Sequence, residues 1–281
     1  MEPTVRAARA SDKGPLMGFI RDVWGGHDYI PSVWDSWLKD PRGKMFVVEA
    51  DGVPVGMNRV QFLEDGSAWF EGARVHPEHR GRGLATMLGE NSMKVAESRG
   101  VTVFRLTSGS GNKLAHRQIA RIRFGEIARF SVYEPPRGRK RRDSGRGRKA
   151  SVDELQEVVG LIEASREYRL GAGTFWHDFA AASLTHDVIR KLLVEGAVWR
   201  LGGAIAVYRA GAGGAWEEIC FAGGPALDAT ALVKSLLGRN RKGRERWVFV
   251  PQGSPLIHAL RTEGFKRNFA MVLFERRAAN G

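Results

Sequence analysis

The chain has 281 residues, enough for about two average domains, and its 43% hydrophobic and 27% charged residues are ordinary for a globular protein. No apolar run approaches the roughly 18 residues that cross a bilayer, and the N-terminus lacks the apolar core of a signal peptide. We therefore expect no membrane partner. A single cysteine, Cys220, excludes an intrachain disulfide and favours a reduced, cytoplasmic location.

About half of the net charge of +13 lies in one short segment. Residues 137–150 contain eight basic residues and one acidic residue, a net charge of +7. Two prolines precede the segment, and Ser151 with Glu154 forms a capping-box pattern after it. The simpler interpretation of the basic run is a solvated linker. The alternative is a nucleic-acid contact, which is less favoured because the run has no aromatic residue to stack on a base.

These boundaries predict a domain over 1–134, a basic Arg/Gly-rich linker over 135–150 and a second domain over 151–281. In the first domain, strand and helix patterns alternate. The predicted elements are strand 4–10, helix 11–24, helix 32–39, strands 45–50, 53–63 and 68–75, helix 83–98, strand 101–107, helix 113–122 and strand 126–133. This pattern predicts an α/β (α+β) fold with a mixed central sheet.

The junction between the strand 68–75 and its helix predicts an anion site. It reads VHPEHRGRGLAT from Val75 to Thr86, with Gly81 and Gly83 just before the helix. Glycines let the backbone approach a ligand, and the free N–H groups of a helix start favour an anion. Arg80 and Arg82 add charge suited to phosphate. The spacing fits neither a P-loop nor a dinucleotide fingerprint.

The same residues carry a family resemblance. Arg80-x-x-Gly83-x-Ala85, after Val75-His76-Pro77, is similar to the GNAT N-acetyltransferase pattern Arg/Gln-x-x-Gly-x-Gly/Ala. The resemblance covers most of residues 4–134. Within the superfamily, the domain looks closest to histidine N-acetyltransferase-like proteins through the segments DYIP (28–31), WLKDP (37–41) and EGARV (71–75).

The resemblance implies acetyl-CoA as cosubstrate. It implies that the strand near Val75 separates from its neighbour and pairs with the pantetheine arm, and that the Val75 N–H stabilises the oxyanion. The residues implied in cofactor binding are Arg74, Val75, Arg80, Gly81, Arg82, Gly83, Leu84, Ala85, Thr86 and Asn112.

Glu71 is the predicted general base. It lies four residues before Val75, which in a regular strand places both side chains on one face. The alternative is a structural carboxylate paired with Arg59, Arg74 or a substrate ammonium. The tyrosine that usually protonates the leaving thiolate in this family is replaced by Ile119. Tyr133, which we carry forward as a catalytic candidate, His116 and Ser110 are the possible substitutes.

Aromatic residues near the first helices are candidates for an acceptor pocket. Tyr29, Trp34 and Trp37 are predicted to bind substrate together with Glu71, with ordinary core packing as the alternative. His76 and His79 are spaced like metal ligands, but no third ligand is evident nearby, so no metal is expected. Cys220 lies outside the domain, which favours direct acetyl transfer over an acyl-cysteine.

The second half repeats the same order of elements: strands 198–209, 215–221, 247–251 and 270–275, with helices 227–237 and 255–263. The equivalent turn, Ala222-Gly223-Gly224-Pro225, has no arginine. We expect a degenerate GNAT-like domain that does not bind CoA, and the alternative is an unrelated small α/β domain.

The expected function is acetylation of a small primary amine, such as an amino acid and possibly histidine. The alternatives are a protein N-terminal or lysine acetyltransferase and a non-catalytic CoA-sensing or nucleic-acid-binding protein.

Overall fold

The computed structural model describes residues 2–136, 147–211, 214, 216–238 and 244–278. Most of the predicted basic linker, residues 137–146, lies outside the described residues. The chain divides into two units that are not simply consecutive. The N-terminal unit comprises Met1–Thr107, Asn112–Gly125 and Phe274–Gly281, and the C-terminal unit comprises Ser108–Gly111 and Glu126–Leu273.

The described chain up to residue 121, most of which belongs to the N-terminal unit, forms five strands and four α-helices. In chain order they are β1 (Thr4–Ala7), α1 (Lys13–Ile20), α2 (Ile30–Lys39), β2 (Gly43–Ala50), β3 (Val53–Phe62), β4 (Ala68–Val75), α3 (Leu84–Glu97), β5 (Val103–Gly109) and α4 (Lys113–Arg121). Strands β1 to β4 pair antiparallel in sequence order, and β5 joins β4 in parallel after the crossover through α3.

Helices α1 and α2 cover one face of this sheet. Leu16, Ile30 and Trp34 are fully buried in one cluster with Met57 of β3. On β3 the neighbouring Asn58 donates to the Leu88 carbonyl oxygen, at 3.1 Å, on helix α3. Because neighbouring strand residues point to opposite faces, α3 covers the other face. The sheet is therefore enclosed on both sides.

The C-terminal unit repeats the same connectivity. The elements from residue 125 onward belong to this unit, apart from Gly125 of β6 and the end of β14 after Leu273. They are β6 (Gly125–Glu134), β7 (Arg148–Lys149), α5 (Leu155–Ala164), α6 (Arg166–Leu170), β8 (Thr174–His177), β9 (Ala180–Ser183), α7 (His186–Val194), β10 (Val198–Leu201), β11 (Ala204–Ala210), β12 (Trp216–Gly223), α8 (Ala226–Leu237), β13 (Glu245–Pro251), α9 (Leu256–Thr262) and β14 (Lys266–Arg277). Strand β12 pairs antiparallel with β11 and parallel with β13, as β4 does with β3 and β5.

The mixed α/β fold predicted from the sequence is confirmed, with local corrections. The run 198–209 is two strands joined by a turn at Gly202 and Gly203, not one strand. The end of the predicted linker forms β7, which pairs with β10. The predicted domain boundaries at 134 and 151 stay a prediction. No described helix is long and apolar enough to cross a membrane.

Candidate functional site

Strands β4 and β5 are paired over only part of their length. In the described chain their parallel ladder runs from Ala68–Phe104 to Phe70–Leu106 and ends there, although β4 continues to Val75. Paired strands share their backbone hydrogen bonds along the ladder. The last five residues of β4 therefore lie beyond the paired stretch, as the resemblance implied.

The N–H group of Val75 points toward this side of the strand. The next residue, His76, donates its N–H to the Val55 carbonyl oxygen on β3, at 2.8 Å. Val75 is paired with Gly56. Since successive N–H groups in a strand point to opposite edges, the Val75 N–H faces the β5 side. An extended ligand lying there would meet a backbone donor.

The turn after β4 has the geometry that a phosphate cradle needs. Gly81 and Gly83 have φ values of 79° and 78°, which side chains rarely adopt. A Cβ atom at either glycine would meet nothing within 4 Å, so the space beside this turn is open. Helix α3 starts at Leu84, and its first N–H groups have no partner within the helix. Arg80 and Arg82 are exposed.

A bulge in β4 corrects one expectation from the sequence. Arg59 pairs with Glu71 and Met57 with Arg74, so two residues of β4, at 72 and 73, stand opposite one residue of β3. The extra residue reverses the alternation of side chains. Glu71 and Val75 therefore lie on opposite faces, and Glu71 shares its face with Arg74 instead.

Gly72 makes this bulge possible. Its φ is +68°, and a Cβ atom there would lie 2.8 Å from Cζ3 of Trp37 and 3.2 Å from Cδ1 of Ile30. Carbon atoms in contact normally sit about 3.5–4.0 Å apart. Glycine is therefore required at position 72 for two reasons, the backbone conformation and the close approach of helix α2.

Glu71 is held by a buried arginine. The Arg59 side chain is 2% exposed, and its guanidinium donates to Glu71 and, at 2.5 Å, to Oδ2 of Asp40. The same guanidinium lies 4.8 Å from the ring centre of Trp37. The structural alternative for Glu71, an ion pair with Arg59, is therefore present, and 15% of the Glu71 side chain remains exposed.

Arg74 forms a second ion pair beside the first. Its Nε and Nη2 atoms donate to the two carboxylate oxygens of Asp28, at 2.6 and 3.2 Å. The Asp28 side chain is fully buried. The Arg74 guanidinium also lies 5.7 Å from the ring centre of Tyr29. This ion pair fastens β4 to the segment just before helix α2, and the predicted contact of Arg74 with the cofactor stays a prediction.

Tyr29 and Trp37 lie next to each other, edge to face, with ring centres 5.8 Å apart. Burial of the phenol group, and after it the nearby Glu71 carboxylate, raise the pKa of Tyr29. Because 40% of this residue is still exposed, the shift reflects packing around the phenol rather than burial of the whole side chain. We call these residues, with the two ion pairs, the β4 cluster: Asp28, Tyr29, Trp37, Asp40, Arg59, Glu71 and Arg74.

Several predicted site residues lie elsewhere. Trp34 is fully buried in the core under α1 and α2, which is the core-packing alternative. Tyr133 is 1% exposed and belongs to the apolar core of the C-terminal unit, and its catalytic role stays a prediction. Asn112 caps helix α4 by accepting from the Ala115 N–H at 3.1 Å. Ile119 is buried, and the His116 ring packs against Phe274 at 5.2 Å.

The histidines after β4 do not assemble with Glu78. His76 Nδ1 accepts from the Glu78 backbone N–H at 3.3 Å, which closes the short turn over residues 77–79. The His76 ring packs against Phe19, with centres 4.9 Å apart. Among the described residues, this trio is not one of the groups that could hold a metal ion.

The equivalent turn of the C-terminal unit is closed. Gly224 has a φ of +107°, and a Cβ atom there would lie 2.5 Å from the Gly203 carbonyl oxygen. Backbone of the β10–β11 turn thus fills the space beside Gly224, whereas the equivalent space beside Gly83 is open. Together with the missing arginines, this supports the expectation that the second domain does not bind CoA.

Comparisons with known proteins agree with the mixed α/β fold and the strand–glycine turn–helix junction. Residues 16–125 match the model of the Acetyltransferase (GNAT) family, and this part of the chain is a GNAT acetyltransferase domain. The whole chain resembles the GCN5-related N-acetyltransferase of Sphaerobacter thermophilus, with 15% identity and a TM-score of 0.66 over 98% of this chain and 95% of the other. Because this likeness covers the second half of the chain as well, that half shares the fold of the matching part of the Sphaerobacter protein.

Two curated relatives are histidine N-acetyltransferases. The chain is 33% identical to the Oreochromis niloticus protein over 103 residues and 34% identical to the Xenopus tropicalis protein over 111 residues. These matches cover 36% and 38% of this chain, and 31% and 34% of the relatives. The chain therefore matches about a third of the length of each relative.

Sequence reasoning missed three partners in the β4 cluster. Asp28 and Asp40 were not predicted as site residues, and neither was the role of Arg59 as the link between Asp40 and Glu71. Asp28 and Asp40 were visible only as members of the segments that carry the family resemblance. Nothing in local spacing joins Arg74 to a carboxylate 46 positions away.

Proposed function

We propose that the chain is an N-acetyltransferase that transfers an acetyl group from acetyl-CoA directly to the primary amine of a small molecule. The observation that carries the proposal is the arrangement along β4. An N–H donor faces the unpaired side of the strand, the open glycine turn follows it, and a fixed carboxylate precedes it.

The cosubstrate would lie along β4 and the turn. Backbone N–H groups from 80 to 85 and the charges of Arg80 and Arg82 suit its pyrophosphate. The pantetheine arm would pair with the strand end at Val75, whose N–H would donate to the thioester oxygen as negative charge develops. Arg80 also donates to the Val75 carbonyl oxygen, at 3.2 Å, which ties the turn to the strand end.

The β4 cluster suits a cationic acceptor. It contains three carboxylates and two guanidinium groups, a formal charge of −1, next to two aromatic rings. An ammonium group would pair with Glu71, and an aromatic or imidazole side chain would pack against Tyr29 and Trp37. The named relatives make free histidine the first acceptor to test.

In the reaction, the acceptor's ammonium group loses a proton to Glu71, directly or through water, and the neutral amine nitrogen attacks the thioester carbon. The C–S bond breaks, the sulfur leaves as thiolate, and the second proton of the attacking nitrogen passes to the thiolate or to solvent as the amide forms. A thiol of pKa about 8.5 is a tolerable leaving group without a dedicated acid. The mechanism therefore works with Ile119 in place of the usual tyrosine.

The test is release of free CoA thiol from acetyl-CoA by the full chain with histidine, other amino acids, polyamines and short peptides. Glu71→Gln is compared with Glu64→Gln, an exposed residue of the β3–β4 turn. We expect turnover with histidine or another small amine, lost in Glu71→Gln and kept in the control. A general base contributes about 10²–10⁴-fold.

Other outcomes would favour a different function for the chain or a different role for Glu71. Turnover confined to peptides would favour a protein acetyltransferase. Saturable acetyl-CoA binding without turnover for any acceptor would overturn the catalytic proposal in favour of CoA sensing. If Glu71→Gln raises KM and leaves kcat unchanged, Glu71 anchors the acceptor and is not the base.

A further inference from the structure

The C-terminal unit contains a second cluster of reactive side chains, separate from the acetyl-transfer residues. His177 ends strand β8, and Glu218 and Cys220 lie two residues apart on β12. One ligand atom from each, a ring nitrogen, a carboxylate oxygen and the sulfur, lie within 4.8 Å of one another. The acetyl-transfer mechanism uses none of them.

The spacing of these atoms is close to that around a tetrahedral metal ion. Nδ1 of His177 is 3.1 Å from Oε2 of Glu218, and Sγ of Cys220 is 3.9 Å from the same oxygen. Zinc bonded to one N, one O and one S ligand at usual lengths would separate these atoms by about 3.3–3.6 Å. Shifts of a few tenths of an ångström would therefore satisfy the first two pairs.

The charge balance of Glu218 favours a cation. Its side chain is fully buried, and a buried carboxylate is costly unless it is paired. Its partners are His177, the thiol of Cys220, the Asp178 backbone N–H at 3.1 Å and the Trp216 indole N–H at 2.8 Å. In the described part of the chain, no lysine or arginine nitrogen is among these partners. The Arg209 backbone contacts the Cys220 thiol, and Nη2 of the Arg209 side chain donates to Oε2 of Glu195 at 2.6 Å.

The cluster also has an entrance and a second carboxylate. The His177 side chain is 29% exposed, so a solvated ion can reach its ring. If Nδ1 binds the ion, Nε2 lies 3.7 Å from Oδ2 of Asp178. A carboxylate behind the ring is the usual outer support of a metal-bound histidine.

We propose that His177, Glu218 and Cys220 form a binding site for a divalent cation that accepts thiolate ligands, with Zn²⁺ as the first choice. On binding, the S–H bond of Cys220 breaks, its proton leaves to solvent and a metal–sulfur bond forms. Water would fill the fourth position. The proposal does not depend on the acetyltransferase assignment.

The test uses the full chain stripped with a chelator and then titrated with Zn²⁺ or Co²⁺ alone. Because Cys220 is the single cysteine of the chain, a thiolate-to-cobalt charge-transfer band can come only from this residue. We expect that band, and one Zn²⁺ per chain in competition with a chromogenic chelator. Cys220→Ser and His177→Ala should each weaken binding at least about tenfold, while His258→Ala, an exposed histidine of α9, should not.

Two results would overturn the proposal. One is the absence of the cobalt–thiolate band with a folded, wild-type chain. The other is Zn²⁺ affinity that is unchanged in both variants, which would mark adventitious binding to surface histidines. Urea unfolding checks the fold of each variant. Because His177 is partly exposed, its replacement keeps the test valid if Cys220→Ser fails to fold.

Discussion

Gly72→Ala should both destabilise the N-terminal unit and impair acceptor binding. A left-handed conformation costs a residue other than glycine about 1–2 kcal/mol. The new methyl group would also lie 2.8 Å from Trp37 Cζ3. Overpacking of this kind costs about 1–3 kcal/mol. The expected loss is therefore about 2–5 kcal/mol in the free energy of unfolding.

Gly66→Ala is the matched control. Gly66 lies in the β3–β4 turn with a φ of +78°, and a Cβ atom there would meet nothing within 4 Å. It should show the backbone cost alone, about 1–2 kcal/mol. Urea unfolding followed by circular dichroism gives both values, and their difference isolates the contact with Trp37.

The same pair of variants separates packing from function. In Gly72→Ala the displaced Trp37 should raise KM for the acceptor while acetyl-CoA binding stays unchanged, and Gly66→Ala should change neither. Equal losses of stability in the two variants would refute the argument that Trp37 limits the space at Gly72. An unchanged acceptor KM would refute the placement of the acceptor at the β4 cluster.

Three further outcomes are expected. Arg82→Ala should weaken acetyl-CoA binding about tenfold, since a charged hydrogen bond is worth about 1.5–3 kcal/mol and the exposure of Arg82 favours the low end. The control is Lys94→Ala, at the far end of α3, and equal acetyl-CoA dissociation constants for the two variants in calorimetry would contradict the phosphate cradle. Asp28→Asn should cost about 3–5 kcal/mol in urea unfolding because it leaves Arg74 without its carboxylate, and a loss below about 1 kcal/mol would show that the pair is dispensable. The hydrogen bond from Arg6 lowers the pKa of Asp12, so the stability that this ion pair contributes is present above about pH 4 and is lost as the pH falls through the folded pKa of Asp12. The loss of unfolding free energy caused by Asp12→Asn should therefore be smaller at pH 3 than at pH 7, and an equal loss at both pH values would argue against the ion pair.

The sequence predicted the elements around the cofactor turn closely because their signals are local. Strand 68–75 matches β4, and helix 83–98 is within one residue of α3 at each end. Apolar periodicity and the glycine turn define both elements without reference to the rest of the chain. The helices and the hairpin between 155 and 194 were not predicted individually, apart from the helix start marked by Ser151 and Glu154.

The β4 cluster was harder to predict because its contacts are long-range. The bulge at Gly72 changes which side chains share a face, and a strand pattern read with a period of two does not reveal it. Trp34 and Trp37 lie three positions apart on one helix, yet one is core and the other faces Arg59. Which aromatic residue lines a pocket depends on the strand that packs beneath, not on the helix alone.

The last strand has a consequence for how the chain is made. Phe274–Gly281 belong to the N-terminal unit, where Glu275 pairs with Arg105 at 2.9 Å and the Ala278 N–H donates to Thr102 at 2.8 Å. A ribosome must therefore add about 150 residues after Gly125 before this unit can be completed. At a synthesis rate of about 5–20 residues per second, the edge of β5 stays uncovered for roughly 8–30 s. Nascent chains stalled before residue 274 should be much more sensitive to protease, or bound by chaperones, than chains stalled after residue 278 has left the exit tunnel.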